Sequence, residues 1–441
     1  MLMYPNISPQ FLAIFEDLYT PLSTAVQYPQ LIAASRLDMG NVNKYLAFHI
    51  QDILDIVLSD KSGKTTSLLI NVLSYQIKEI FYALLTKSKF SDMASEILCK
   101  PDSSEQVIAR LSIITLSALL TLPDEATKQC GFIYYLLKRC DNNSVFNLFA
   151  TILAEDERCF FAKRWLHELG FVDYILRELE NIDFENYCDV DENPDGTLYD
   201  HTFFVATSLY SLLSRCAKSD MFKEDTMDLH TILVLKKTFK HEYPLFVKNA
   251  RWKAINSVIC QENANDMSSL LPEAISIISS YYPRVYEYRS CAISFIGSII
   301  NFSPTFASYA VDEKIPNYIL SLLLQFQNCS ILHSVIINFI SKTIEIEPLG
   351  SHLTQIFVPL IMDEVKIQKN KTFIPTLFSL ADIIHNAGKK KKPIENSLVH
   401  FPEFETFCKN QLSRYKANNK KNYGGKFKTS LSDFFNNIMY E

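Results

Sequence analysis

The sequence predicts an all-α protein, an armadillo/HEAT-like helical-repeat solenoid of antiparallel helix pairs. Glycine accounts for only 10 of 441 residues, which leaves few places for the hairpin turns of a β-protein or the phosphate loops of a nucleotide enzyme. Apolar residues recur at helical spacing, and breaks rich in Pro, Asn, Asp and Ser interrupt them about every fifteen to twenty-five residues. This rhythm predicts roughly twenty helices, or about ten pairs of ~40 residues, the size of HEAT or armadillo units.

Two apolar stripes show the helical period most clearly. The first consists of Val107, Leu111, Ile114 and Ala118, and the second of Leu169, Val172, Leu176 and Leu179. Gly170 is predicted to end the helix that carries Trp165. We therefore expect the indole of Trp165 to lie mostly in the core, where it fixes the angle between two helices.

Turn-forming residues mark the ends of the predicted helices. The breaks begin at Lys100, Leu122, Arg139, Ser303, Glu313, Glu347 and Gly388. Two long uncharged stretches, 290–311 and 315–341, carry polar residues where a helix pair would turn. They are predicted to be buried solenoid helices rather than membrane spans.

The predicted domain organisation is a solenoid over residues 1–388, followed by a basic segment over 389–441 that holds the last helices of the same domain. One long irregular insertion, at 181–200, is acidic. Its residues 191–196 fit the opening of a calcium loop, but the twelfth position is Thr202 instead of the bidentate glutamate that such loops use. The insertion is therefore predicted to be a solvated acidic loop, and no metal site is expected.

Charge is distributed unevenly along the chain. The net charge is −6, yet the segment from Lys389 to Lys428 carries eleven Lys or Arg against three Glu. The run Lys389–Lys392 fits a solvated loop between helices, and the alternatives are a nuclear localisation signal or a nucleic-acid patch; we favour the loop and expect no nucleic-acid partner. The ten cysteines are scattered, as free thiols of a reducing compartment are, so the expected location is cytoplasmic, with the nucleus as the alternative.

No catalytic motif occurs in the sequence. It contains no HExxH, GxSxG, GxxxxGK[ST] or GxGxxG pattern and no signature of a phosphatase metal centre or a kinase. The sequence therefore predicts a protein that is not an enzyme and has no cofactor. A helical enzyme with an unsignalled site is the alternative, and turnover by the isolated chain would identify it.

Four charged residues are candidates for partner binding by their chemistry and position: Arg164, Glu168, Arg251 and Arg289. Arginine and tryptophan are enriched at interface hot spots, and Arg251 precedes Trp252. The alternative for these arginines is a structural role on a helix face beside the core.

Several stretches, taken in order, resemble the SAPS-domain family of regulatory subunits, which associate with the type-6 (Sit4-like) serine/threonine protein phosphatase. NNSVFNLFATIL and RWLHELGFVDYILREL are similar to two consecutive helices of that family, and NCSILHSVIINFI resembles a later helix that contains a Leu-His pair. FIPTLFSLADIIHNAG and FPEFETFCKNQLSRYKANNKKNYGG resemble its C-terminal helices. The resemblance covers residues from about 142 to 425.

The resemblance implies a non-catalytic scaffold that binds a type-6-like serine/threonine phosphatase catalytic subunit and directs it to substrates, together with further regulatory subunits. The alternative function is an armadillo-type adaptor for transport or vesicle partners. Such an adaptor would carry a ladder of Asn and Trp at equivalent positions of successive repeats, whereas this chain has only two tryptophans, Trp165 and Trp252.

Overall fold

A computed structural model describes residues 9–28, 30–182, 201–237, 244–367 and 372–419. The structure is 77% helical, with no β-strand among these residues. This confirms the prediction of an all-α helical-repeat solenoid. The chain divides into two compact units, Met1–Ile259 and Cys260–Glu441.

The first unit contains the following described α-helices: α1 (Pro9–Ile14), α2 (Leu22–Ala25), α3 (Gln30–Arg36), α4 (Gly40–Phe48), α5 (Ile50–Val57), α6 (Lys64–Ser74), α7 (Lys78–Lys87), α8 (Phe90–Cys99), α9 (Glu105–Thr121), α10 (Pro123–Gln129), α11 (Ile133–Leu137), α12 (Asn143–Ile152), α13 (Phe160–Glu168), α14 (Phe171–Asn181), α15 (His201–Cys216), α16 (Lys223–Thr226), α17 (Leu229–Lys236) and α18 (Leu245–Val258). A 3₁₀ turn at Glu157–Cys159 leads into α13.

The second unit contains α19 (Ala264–Met267), α20 (Leu271–Ser279), α21 (Glu287–Phe302), α22 (Phe306–Asp312), α23 (Ile315–Gln325), α24 (Ser330–Thr343), α25 (Leu349–Ile367), α26 (Ile374–Lys390), α27 (Lys392–Leu398), α28 (Pro402–Phe407) and α29 (Ser413–Asn419). A 3₁₀ turn at Ser268–Leu270 precedes α20, and a π-helical segment at Cys408–Leu412 joins α28 to α29.

Helices at equivalent places in successive repeats pack side by side in each unit. In the first unit α3, α6, α9, α12, α15 and α18 form one such row, each in contact with the next. Phe204 stacks on Phe246 near the starts of α15 and α18, and the Ser214 hydroxyl bonds the Ser257 hydroxyl near their ends. These two contacts show that the helices run parallel. In the second unit α21, α24 and α26 form one row, and α20, α23 and α25 form another. Each helix thus buries its faces against its neighbours in the row, as expected for a helical repeat.

The predicted apolar stripes lie in the core, with one exception. All four residues of the stripe in α9 are buried, as are Val172, Leu176 and Leu179 in α14. The prediction for Leu169 is wrong: it is 37% exposed, because the chain has already turned at the C-cap of α13. The prediction that Trp165 lies mostly in the core holds only in part, since the residue is intermediate in exposure and not fully buried. Ala162 and Leu166 fill the core positions of α13 instead.

The boundary predicted at residue 388 falls inside a helix. The helix α26 continues through Gly388 to Lys390, whereas the division between the two compact units lies after Ile259. Gly388 lies inside α26 and packs closely against α27: a Cβ there would come within 2.6 Å of the Leu398 Cδ1 atom.

Prolines start several helices, as the turn signals predict. Pro123 opens α10 and Pro316 lies in the first turn of α23, where the missing N–H has no intrahelical role. Among the described residues no single helix is both long and apolar enough to cross a membrane; α6 and α7 meet that requirement only as a pair, and they bend by 105° at the break between them.

Candidate functional site

The exposed face of α13 is the part of the structure that best fits a partner-binding surface. Ala162 and Leu166 are buried, so the side chains of Phe161, Arg164 and Glu168 project from the opposite side of the helix. Their spacing of three and four residues places them on one face. We call the residues Phe160, Phe161, Arg164 and Glu168 the α13 face.

Two phenylalanines dominate the α13 face. Phe161 is 56% exposed and Phe160 is nearly as exposed. Their ring centroids lie 5.8 Å apart in an edge-to-face arrangement. Single exposed apolar residues are common on proteins, but two adjacent aromatic rings beside an arginine have the composition of an interface core.

Arg164 and Glu168 form an ion pair along the α13 face, with 2.8 Å between Nε and Oε1. Both side chains are mostly exposed. An exposed i, i+4 pair contributes about 0.3–0.5 kcal/mol to stability, so the pair is free to re-form with a partner at little cost. The structure therefore leaves these two candidates accessible.

A rigid turn holds α13 against α14. Gly170 adopts a left-handed conformation with φ of 74°, which confirms that it ends the first helix. The hydroxyl of Tyr134 donates to the Leu169 carbonyl at 2.7 Å, and its ring stacks on Tyr174 with 3.6 Å between centroids. Burial raises the pKa of Tyr134 to about 12, so the donor stays protonated. The aromatic stack thereby fixes the C-terminal end of the α13 face.

Arg251 and Arg289 do not lie on a partner surface, and the prediction for them is wrong. They are 1% and 2% exposed. Arg251 donates from Nε and Nη2 to the Leu235 carbonyl at 3.1 and 2.8 Å, and Arg289 donates from Nη2 to the carbonyls of Ile278, at 3.0 Å, and Ser280. These carbonyls belong to the ends of α17 and α20, where helical acceptors have no partner in their own helix.

Two further buried residues also bond carbonyl oxygens at helix ends, and neither was predicted from the sequence. Arg110 in α9 donates from Nη1 to the Val57 carbonyl, at 2.7 Å, at the end of α5. His333 in α24 bonds the Phe326 carbonyl at 3.0 Å through Nε2, just after α23. The shared signal is a nitrogen-bearing side chain in the first two turns of a helix. That helix follows directly in the chain for Arg251, Arg289 and His333, whereas α9 comes four helices after α5.

A polar cluster joins the starts of α9, α12 and α15. Ligand atoms of Glu105, Asp141 and His201 all lie within 4.8 Å of one another, and His201 Nε2 is 2.7 Å from Asp141 Oδ2. This is close enough for one metal ion, but the Arg139 guanidinium already bonds the Glu105 carboxylate, as does the Asn142 amide. Burial raises the pKa of Asp141. We interpret the cluster as an ion-pair network that holds the three helix starts together.

The two remaining sequence motifs are placed differently. Residues 191–196, which resemble the opening of a calcium loop, lie outside the described residues, and Thr202 is in the first turn of α15. The run Lys389–Lys392 spans the end of α26 and the start of α27 rather than a free loop, and Lys390 pairs with Glu345 at 2.8 Å. Basic residues in a last helical turn are favoured by the helix dipole.

Comparisons with known proteins add no family. No family model and no curated protein matches the chain. Among solved structures, the crystal structure of an engineered protein is similar over 85% of this chain and 93% of that one, at 11% sequence identity and a TM-score of 0.45. A similarity at this level does not indicate the function of the chain.

Proposed function

We propose that the protein is a non-catalytic regulatory or scaffold subunit that binds a type-6-like serine/threonine phosphatase catalytic subunit and directs it to substrates. The observation that carries the proposal is the α13 face, with two exposed phenylalanines next to an arginine. Residues 164–179 most clearly resemble the SAPS-domain regulatory subunits. Arg164 and Glu168 lie at the start of this stretch, and the two phenylalanines lie just before it.

The helical-repeat fold supports this proposal in a general way. Stacked helix pairs expose one helix face per repeat while their cores stay buried, and such surfaces suit protein binding. Arginine and aromatic side chains carry much of the binding free energy in interfaces. The α13 face offers both on a single helix whose inner side is packed.

The test is binding of the full-length chain to a purified type-6-like catalytic subunit. Phe161→Ala should weaken binding about tenfold or more, because truncating an interface aromatic costs over ~1.4 kcal/mol when it is a hot spot. Phe48→Ala is the matched control, since Phe48 in α4 is 50% exposed and lies away from α13 in the sequence. Affinity is measured by surface plasmon resonance, and thermal melting shows that both variants stay folded.

Two results would contradict the proposal. If the unmodified chain does not bind the catalytic subunit, and affinity purification from its own cells recovers no phosphatase, the phosphatase function is wrong. Recovery of transport or vesicle proteins instead would favour the adaptor function. If binding occurs but Phe161→Ala and Phe48→Ala bind equally well, the α13 face is not the surface used.

A further inference from the structure

A pocket lies where α26, α27 and α28 meet in the second unit. Its volume is about 440 Å³, within the range of ligand sites. The helix α26 contributes His385 and Lys389, which are four residues apart and therefore lie on one face of the helix. The end of α27 and the turn after it contribute Leu398, Val399 and Phe401. We call this space the junction pocket.

Part of the junction pocket is apolar and reaches the protein surface. Phe404 is buried, Leu398 and Phe401 are half-buried, and Val399 is 72% exposed. A single exposed valine on a flat or convex surface would need no explanation. Val399, however, lines a concave space together with the other three side chains. The junction pocket therefore offers an accessible place for an apolar side chain of another molecule.

Positive charge predominates around the junction pocket. Residues 385–416 carry seven Lys or Arg against three Glu. Lys389, Lys391 and Lys392 are exposed, and none of these three makes an ion pair with another residue that the structure describes. Of the two glutamates that line the pocket, Glu405 is already paired with Lys409, with 2.7 Å between Oε1 and Nζ. The excess positive charge is therefore accessible to a ligand.

His385 supplies a neutral polar group to the junction pocket. Burial lowers the pKa of its imidazole, and the positive charges of Lys389 and Lys416 lower it further, although Asp382 and Glu405 act in the opposite direction. The ring is therefore uncharged at neutral pH, and a neutral imidazole carries one N–H donor. The junction pocket thus combines apolar side chains, a neutral imidazole and unpaired lysines.

This combination matches an apolar side chain that has carboxylates next to it. The apolar side chain gains free energy by leaving water, and the carboxylates are attracted by the unpaired lysines. A nucleic acid is a poorer match, because its phosphates gain nothing from the exposed Val399. The residues of this chain that follow α29 are also a poor match, since 420–428 includes four lysines and no acidic residue. The charges therefore favour an acidic partner.

We propose that the junction pocket binds an acidic segment of a partner polypeptide. One apolar side chain of the segment packs against Val399 and Leu398, and neighbouring Asp or Glu side chains pair with the exposed lysines at 389, 391 and 392. Because a lysine ammonium acts as a point charge on a flexible stem, the pairing needs no single carboxylate geometry. The proposal does not rest on phosphatase binding, since the partner segment is recognised by this pocket alone.

The test selects peptides on the full-length chain. A phage library of random dodecapeptides is panned in low salt, with counter-selection on Val399→Ser, which removes apolar surface without changing the charge. The enriched peptides should contain Asp or Glu next to Leu, Ile, Phe or Met more often than the starting library does. Their affinities are measured by fluorescence polarisation on synthetic peptides with capped ends, and higher salt should weaken the binding because it screens exposed charges.

Charge reversal at Lys389 tests the selected peptides independently of the counter-selection. Lys389→Glu should weaken their binding at least tenfold, because the new carboxylate repels the acidic segment. Lys87→Glu is the matched control, since Lys87 is likewise an exposed lysine in the last turn of its helix. Ile331→Ser is the control for Val399→Ser, since Ile331 is 73% exposed in the same unit. Both controls should keep the affinity of the unmodified chain.

Several results would overturn the proposal. They are enrichment of no peptide, enriched peptides without an excess of acidic residues, and equal binding to Lys389→Glu and the unmodified chain. Tighter binding of a thymidine dodecanucleotide than of the peptides, lost in Lys389→Glu, would identify a nucleic-acid site instead. A dimer in analytical ultracentrifugation that Val399→Ser dissociates would show that a second copy covers the pocket. Thermal melting checks the fold, and Lys391→Glu replaces Lys389→Glu, with the same expectation, if the latter does not fold.

Discussion

At the scale of single residues, buried nitrogen donors distinguish this structure from a simple apolar stack. Arg251, Arg289 and His333 each reach back to a carbonyl at or just beyond the end of the preceding helix. Arg110 in α9 reaches the carbonyl at the end of α5. Burial lowers the pKa of Arg110 and of Arg289, but guanidinium groups remain charged in proteins. The donors therefore satisfy acceptors that would otherwise be buried without partners.

Replacing Arg289 tests this role. Arg289→Met keeps the length of the side chain but removes the donors to Ile278 and Ser280. The free energy of unfolding, measured by urea denaturation, should fall by about 1–3 kcal/mol because buried carbonyls lose their partners. Arg164→Met, on the exposed α13 face, should change it by less than about 0.5 kcal/mol. Equal effects of the two variants would show that burial of Arg289 has no consequence for stability.

His333 makes the stability depend on pH. Burial lowers its pKa below the ordinary value of 6.5, so the folded protein holds this imidazole neutral, with Nδ1 3.0 Å from the Thr376 hydroxyl. Unfolding then takes up a proton once the pH falls below about 6.5, and the stability that His333 contributes is lost as the pH falls from that value to the lowered pKa of the folded state.

The matching variant is His333→Gln, which keeps a donor but does not titrate. The free energy of unfolding should fall more steeply between pH 7.5 and 5 for the unmodified chain than for the variant. The difference between the two slopes isolates His333 from other groups such as His385, whose pKa is also lowered by burial. Parallel pH profiles would exclude the assignment.

At the scale of elements, the turn between α13 and α14 sets the direction of the α13 face. Gly170 has φ of 74°, and a Cβ there would meet Asp173 Oδ2 at an ordinary 3.5 Å. Space is therefore available, and backbone conformation alone decides the effect of a side chain.

Gly170→Ala should lower the free energy of unfolding by about 1–2 kcal/mol, the cost of a left-handed conformation for a residue with a Cβ. Gly131→Ala is the control, since Gly131 has no positive φ and nothing lies within 4 Å of its added Cβ. Denaturation curves of the two variants can be compared directly. A Gly170→Ala protein as stable as the control would mean that the turn tolerates another backbone conformation.

At the scale of the whole molecule, composition and period predicted the fold class but not which large side chains are buried. The scarcity of glycine and the helical spacing of apolar residues are properties averaged over the sequence. In a helical repeat they hold along the whole chain, so they predict the fold class. Trp165 and Trp252 look equally apolar in sequence, yet only Trp252 is fully buried. The helical period of α13 does not decide whether Leu166 or Trp165 faces inward, because the two are adjacent in the sequence and both are apolar.

The candidate site was predicted in part for a related reason. Arg164 and Glu168 are accessible, whereas the buried position of Arg251 and Arg289 depends on carbonyls that only the packed structure brings near. The left-handed conformation of Gln76 gave no sequence signal, since glutamine does not announce such a turn in the way glycine does. Only the backbone angles reveal it.

The buried donors also define how repeats of this kind can be gained or lost. A carbonyl at the end of α17 is satisfied by Arg251 from α18, and one at the end of α20 by Arg289 from α21. A deletion or duplication that begins between such partners would separate a helix end from its donor. Recombination that keeps these two contacts must therefore cut outside the pairs α17–α18 and α20–α21.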